Sequence, residues 1–263
     1  MRAAQVTATD YSHYLHIDEL LALQRPLTEG AHDEMLFVVI HQVYELWFKL
    51  ILHELDRVTS ELVAGRPQGA ILPLRRTIRI DEVLIAQLHV LESMSPEGFL
   101  QFRDPLKPAS GLQSGQFRAI EHLGGLRDTA RGDDPVLSEA DRDALQRRRG
   151  TPTLYEALCA CLRSHGFDAP DGDEESARER RLLALQALYG DHSSIERALL
   201  HLVCELFLDH DEAFSRWRFH HSLMAAREIG ARQGTGGSAG VGYLRATVDQ
   251  RFFPDLWEVR TRL

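Results

Sequence analysis

Apolar residues recur along this chain at mixed three- and four-residue spacings, the period of helices with one buried face, and strict alternation is nearly absent. Segment 33–64 predicts one long helix: Asp33 and Glu34 fall in its first turn and Gly65-Arg66-Pro67 stops it. A second helix is predicted over 73–94, carried by Leu74, Ile78, Val83, Leu84, Leu88 and Leu91 and ended by Ser95-Pro96. Residues 99–106 and the turn-rich stretch from Lys107 to Gly111 then lead into a helix over 117–123. Segments 124–149 and 168–180 are polar and predict exposed connections or frayed helix ends. Further helices are predicted over 182–189, 194–207 and 211–229, the last two as a long antiparallel pair, and a short one from Val241. The fold class is therefore all-α, a helical bundle with long antiparallel helices, and without internal repeats residues 1–263 read as one domain.

Composition narrows the class. Hydrophobic residues make up 44% and charged residues 26%, which excludes a disordered or fibrous chain. A net charge of -9 repels a phosphate backbone, so nucleic acid is not an expected partner. The run from Met35 to Leu52 raises the membrane question, but His41, Gln42, Glu45 and Lys49 interrupt it, so a buried helix is expected and no membrane partner. The first ten residues hold no apolar run of signal-peptide length, which points to the cytoplasm. Cys159, Cys161 and Cys204 lack zinc-type pairing and read as buried small hydrophobes.

Several constellations could carry chemistry. On the first long helix His41, Glu45, Lys49 and His53 follow at four-residue intervals, with Phe37 one turn ahead. Either this stripe is a solvent face laced by a Glu45–Lys49 pair, or it puts His41 in a pocket. The second histidine of a His-Glu-x-x-His zinc motif is missing. His220 and His221 are adjacent on a mostly apolar helix, about a hundred degrees apart, so one at most faces a given pocket. Such a histidine can be a hydrogen-bonded core residue or, as in many heme proteins, an iron ligand. Gly234 to Gly240 holds four glycines in seven residues. It lacks the Gly-Lys-Ser/Thr ending and preceding strand of a phosphate loop and suits a lid or pocket wall offering the hydroxyls of Thr235 and Ser238. Arg103, one turn after Phe99, is either a surface partner of Asp104 or a carboxylate anchor.

In their order along the chain, the blocks Tyr11-Ser-His-Tyr14-Leu15, His32 to Phe37, His41 to Lys49, Phe102-Arg103, Ser110 to Ser114, Trp217 to His221 and Gly234 to Ser238 resemble the tryptophan 2,3-dioxygenase family. The resemblance implies ferrous heme b on His221, dioxygen opposite it, and cleavage of the indole C2–C3 bond of L-tryptophan to N-formylkynurenine. It implies that His41 bonds the indole N–H, that Arg103 and Thr235 hold the amino-acid end, and that Phe37 and Phe99 form the pocket walls. It further implies that Ser110 and Gly111 line the cofactor site, and that Tyr11, Tyr14 and Leu15 complete a neighbour's site in a homotetramer. Departures are Leu88, where some bacterial relatives carry Trp, a shortened middle region, and the altered run from Ala225 to Gln233 before the glycine loop. The nearest rival implied by the same pocket is a monooxygenase acting on a substituted indole; a heme or indole sensor without turnover is the other.

Overall fold

The computed structural model describes residues 10–127, 136–191 and 193–263. Among them, the elements in chain order are α1 (Tyr11–Leu15), α2 (Ile17–Leu21), α3 (His32–Val63), α4 (Pro67–Leu91), α5 (Pro96–Phe102), α6 (Gly115–Leu123), α7 (Glu139–Arg148), α8 (Leu154–Ser164), α9 (Glu175–Tyr189), α10 (Ile195–Ile229), α11 (Val241–Ala246) and α12 (Pro254–Glu258). Short 3-10 turns lie at Gly111–Gln113 and Val259–Arg262, and no described residue is in a strand. The all-α expectation holds. Residues 1–9, on which the signal-peptide expectation falls, lie outside the described residues, as do 128–135 within the polar segment.

Three long helices form the frame: α4 packs against α3 on one side and α10 on the other. A three-residue connection folds α4 back on α3, which makes the two antiparallel. Ile51, Leu55, Val58 and Leu62 of α3 and Leu74, Leu84 and Leu88 of α4 belong to the core, all nearly or fully buried. Each such side chain contributes about 1.5–3 kcal/mol on leaving water. α3 is long and apolar enough to cross a membrane, yet it packs against α4, α5, α6 and α8. Its buried Glu54 and Glu61 are ion-paired to Arg76 and to Arg57 and Arg66.

Three expectations are corrected. α4 begins at Pro67 rather than Pro73, because a proline at the first helical position gives up no helical hydrogen bond. Pro73 then lies inside the helix, buried, and its lost bond is offset by packing. The expected pair over 194–207 and 211–229 is one helix of 35 residues, α10. No glycine or proline interrupts it, and its mid-helix polar residues have tertiary partners. The His210 ring faces Asp81 Oδ2 at 2.7 Å, and the Asp211 carboxylate accepts from the Phe252 and Phe253 main-chain N–H groups and from Trp257 Nε1. Third, the polar segments are not merely connections. Ser138 caps α7, and α9 starts within the second segment, at Glu175. α8, with its Thr153/Glu156 capping box, was unforeseen, as were α1, α2 and α12. The three cysteines are free and buried, as expected.

Candidate active site

α3, α4, α5, α6, α10 and α11 enclose a mostly apolar cavity of about 780 Å³, within the size range of cofactor and small-molecule sites. α10 presents Trp217, His221, Met224 and Glu228 to it, residues three and four apart that share one face of the helix. His220 points elsewhere and meets His89 edge-on at 6.0 Å, so the two adjacent histidines divide as their spacing requires. The His221 ring stacks on Trp217 at 5.1 Å with 15° between planes, which fixes its tilt. Among the described residues no hydrogen bond occupies either ring nitrogen of His221. Burial, and secondarily the nearby His41, push its pKa from 6.5 down to about 4, leaving a neutral imidazole with a lone pair for a metal.

The polar stripe of α3 splits. His41 and Glu45 line the cavity, whereas Lys49 and His53 are exposed. His41 Nδ1 lies 2.7 Å from the Phe37 carbonyl oxygen, an acceptor only, so Nδ1 carries the hydrogen and Nε2 is an acceptor. Burial lowers the His41 pKa, outweighing the Phe37 bond and the Glu45 charge, both of which raise it. The Phe37 ring lies 4.0 Å from the His41 ring and stacks at 5.9 Å on Phe99, and both phenyl rings meet Phe102 edge-on. These contacts hold the apolar wall rigid.

α5 brings in Arg103 as its C-terminal cap, one turn after Phe99. Asp104 pairs with Lys107, so the surface pairing weighed for Arg103 does not form. Instead Arg103 Nη2 donates to the Gln233 carbonyl at 2.5 Å, while its buried Nε has no partner among the described residues. Thr235 Oγ1 donates to the Ala109 carbonyl at 2.6 Å, tying the glycine loop to the segment that carries Ser110 and Gly111. Ser110 is held by a capping box with Gln113, and both it and Gly111 line the cavity. The loop closes at Gly240, whose φ of 60° and close approach to the Arg232 carbonyl, 2.5 Å from a Cβ placed there, leave room only for glycine.

One chain does not bring every expected residue to the site. Tyr11, Tyr14 and Leu15 sit on α1 at 74%, 71% and 42% exposure, away from the cavity. Leu20 and Leu23 reach the cavity instead. The sequence reading also missed a buried network on the cavity wall in which Glu121 pairs with Arg118 at 2.5 Å and with Arg218 at 3.3 Å. The signals were available: Arg118 and Glu121 are three apart on α6, and Arg218 is one turn before His221. Leu88 is buried and forms part of the floor.

No group of three or more His, Cys, Asp or Glu side chains converges among the described residues. A large apolar cavity beside the neutral, uncommitted imidazole of His221 fits heme, whose iron takes its other ligands from its own macrocycle.

A family model described as tryptophan 2,3-dioxygenase matches residues 1–137 and 167–263. The unmatched segment between them carries α7 and α8. A tryptophan 2,3-dioxygenase of Anaeromyxobacter dehalogenans is 40% identical, over 99% of this chain and 98% of its own. One from Nocardioides sp. is 40% identical over 100% and 96%, and one from Herpetosiphon aurantiacus 42% identical over 97% and 99%. Matched along nearly its whole length, the chain belongs to the tryptophan 2,3-dioxygenase family.

Proposed function

We propose that this protein is a heme-dependent dioxygenase that opens the indole ring of L-tryptophan, inserting both atoms of O2 across C2–C3 to give N-formylkynurenine. The observation that carries the reading is one apolar cavity lined by a neutral His221 on α10, a singly committed His41 on α3, and Arg103 and Thr235 where the glycine loop closes. His221 would hold the iron of heme b, and Ser110 and Gly111 would flank the group. When bound and ferrous, heme supplies the binding and activation of dioxygen.

The chain's own residues do the rest. His41 Nε2 accepts the indole N–H, and its Nδ1–H stays on Phe37, so the ring is oriented without a proton being lost from the imidazole. Arg103 offers its unpartnered Nε, and Nη2 on release of Gln233, to the substrate carboxylate, a planar fork matched to two oxygens. Thr235 adds a hydroxyl from the loop. Phe37 and Phe99 receive the aromatic ring and keep water out of the reacting space. The relatives' names support dioxygenation over insertion of a single oxygen into a substituted indole.

We place the enzyme in the cytoplasm as a homotetramer, with exposed Tyr11, Tyr14 and Leu15 completing the site of a neighbouring copy. Mixing the reduced, heme-loaded protein with L-tryptophan in air and following the N-formylkynurenine absorbance tests the activity. Growth of that band supports it, and a flat trace with intact L-tryptophan refutes it.

A further inference from the structure

Gln116 of α6 donates through Nε2 to two atoms of one residue, the Glu45 main-chain carbonyl and Glu45 Oε2, each at 2.8 Å. A glutamine clamping both backbone and side chain of a glutamate allows that carboxylate one position. Glu45 lies one helical turn beyond His41, and residues four apart on a helix are neighbours about 5–6 Å apart at Cβ. Both face the cavity. Because His41 Nδ1 is committed to Phe37, Nε2 is the nitrogen left for a ligand, and it is the nitrogen that a Glu45 carboxylate free to change rotamer would meet.

The cavity offers Glu45 no uncommitted cation. Among the described residues it forms no ion pair with Lys49, one turn further along α3. Around the same cavity stand Tyr44 on α3, Arg103 on α5, Arg118 and Glu121 on α6, Arg218, His221 and Glu228 on α10, and Tyr243 on α11. Arg118 and Arg218 are both held by Glu121, and Arg103 donates to Gln233. Lys49 stands outside the cavity, so within the cavity His41 is the hydrogen-bonding group one turn from Glu45 on the same helix face.

We infer that Gln116 is a positioning residue: it holds the Glu45 carboxylate off His41 Nε2 and so keeps that nitrogen free to accept the substrate's indole N–H. The inference rests on the role proposed above for His41. Glu45 then acts on His41 only through its charge, which partly offsets the lowering by burial and leaves the ring neutral. Freed from Gln116, it would pair with a protonated Nε2 and close the acceptor.

The test compares Gln116→Leu, Glu45→Gln, the double variant and His41→Ala as heme-loaded protein. The C–O stretch of the ferrous carbonyl form, followed against pH, reports protonation at the distal nitrogen, and kcat and KM for L-tryptophan are measured over the same range. Q116L should raise the titration midpoint by roughly one pH unit or more, the effect of an opposite charge brought into contact. It should raise KM at neutral pH more than it lowers kcat. E45Q should lower the midpoint, and the double variant should follow E45Q, since without the carboxylate there is no charge for Gln116 to hold off His41. A Q116L midpoint equal to the wild type, or a shift in the same direction as E45Q, overturns the inference. If H41A keeps the wild-type pH dependence, the titrating group is not His41, and the reading beneath fails with it. E45Q retains the main-chain bond from Gln116, so it remains informative if Q116L does not fold.

Discussion

Replacing Arg103 with alanine separates anchoring of the substrate from chemistry on its ring. The guanidinium is placed by α5 and by a 2.5 Å bond to the Gln233 carbonyl, and its buried Nε is unsatisfied by the chain. A carboxylate arriving there gains a charge-assisted hydrogen bond, worth about 1.5–3 kcal/mol, which converts to about 10- to 150-fold in kcat/KM. Part of the loss comes from loosening the glycine loop, since the Gln233 carbonyl loses its donor. The assay that divides the two is a comparison of L-tryptophan with tryptamine, which keeps the indole and amine but lacks the carboxylate. Wild-type protein should prefer L-tryptophan, and R103A should lose most of that preference while its slow turnover of tryptamine falls only by the smaller part that loop loosening contributes. Arg103→Lys should recover only part, because an ammonium is a point charge without the fork. Equal fold-losses on both substrates would refute the carboxylate role and assign Arg103 to loop structure alone.

Other outcomes follow from the same geometry. His221→Ala should abolish stable heme binding in a titration of the apoprotein, whereas His220→Ala, which loses ring contacts with His89 and Phe219, should titrate as wild type. With its pKa held near 4, His221 should stay neutral as pH falls, so heme affinity of the apoprotein should be flat from neutral pH to about 5; a decline centred near 6.5 would contradict this. By the same sign, the unfolded chain gains a proton between about 6.5 and 4 that folded His221 refuses, so this residue makes the apoprotein less stable as pH drops through that window. Asp81→Leu strips the buried His210 of its partner and should cost about 3–5 kcal/mol in a denaturant melt, against the alternative of an unchanged midpoint.

The fold class was legible because the helical period is strong and the alternating one is absent. What escaped has local causes. The gap expected between 207 and 211 closes because the polar His210 and Asp211 are satisfied by Asp81 and by the C-terminal segment, partners far away in sequence. Pro73 reads as a start only if Pro67 is spent on stopping α3, whereas one turn serves both helices. The residues around the cavity were found through ordered motifs, since pattern alone left His41 between a solvent face and a pocket and Arg103 between Asp104 and a ligand. Geometry puts His41 on the cavity, with Glu45 bonded to Gln116 rather than Lys49, and gives Asp104 to Lys107 rather than to Arg103. The Gln116 clamp joins residues 71 apart, and a Gln on an amphipathic helix carries no mark of such a role.

The central claim is that both atoms of one dioxygen molecule enter the indole ring of L-tryptophan in the cavity between His41 and His221. Turnover under ¹⁸O2 in ordinary water, with rapid mass analysis of N-formylkynurenine before its oxygens exchange, tests it directly. Two labelled oxygens in the product are predicted; one labelled oxygen, or a hydroxylated indole with its ring intact, would contradict the account.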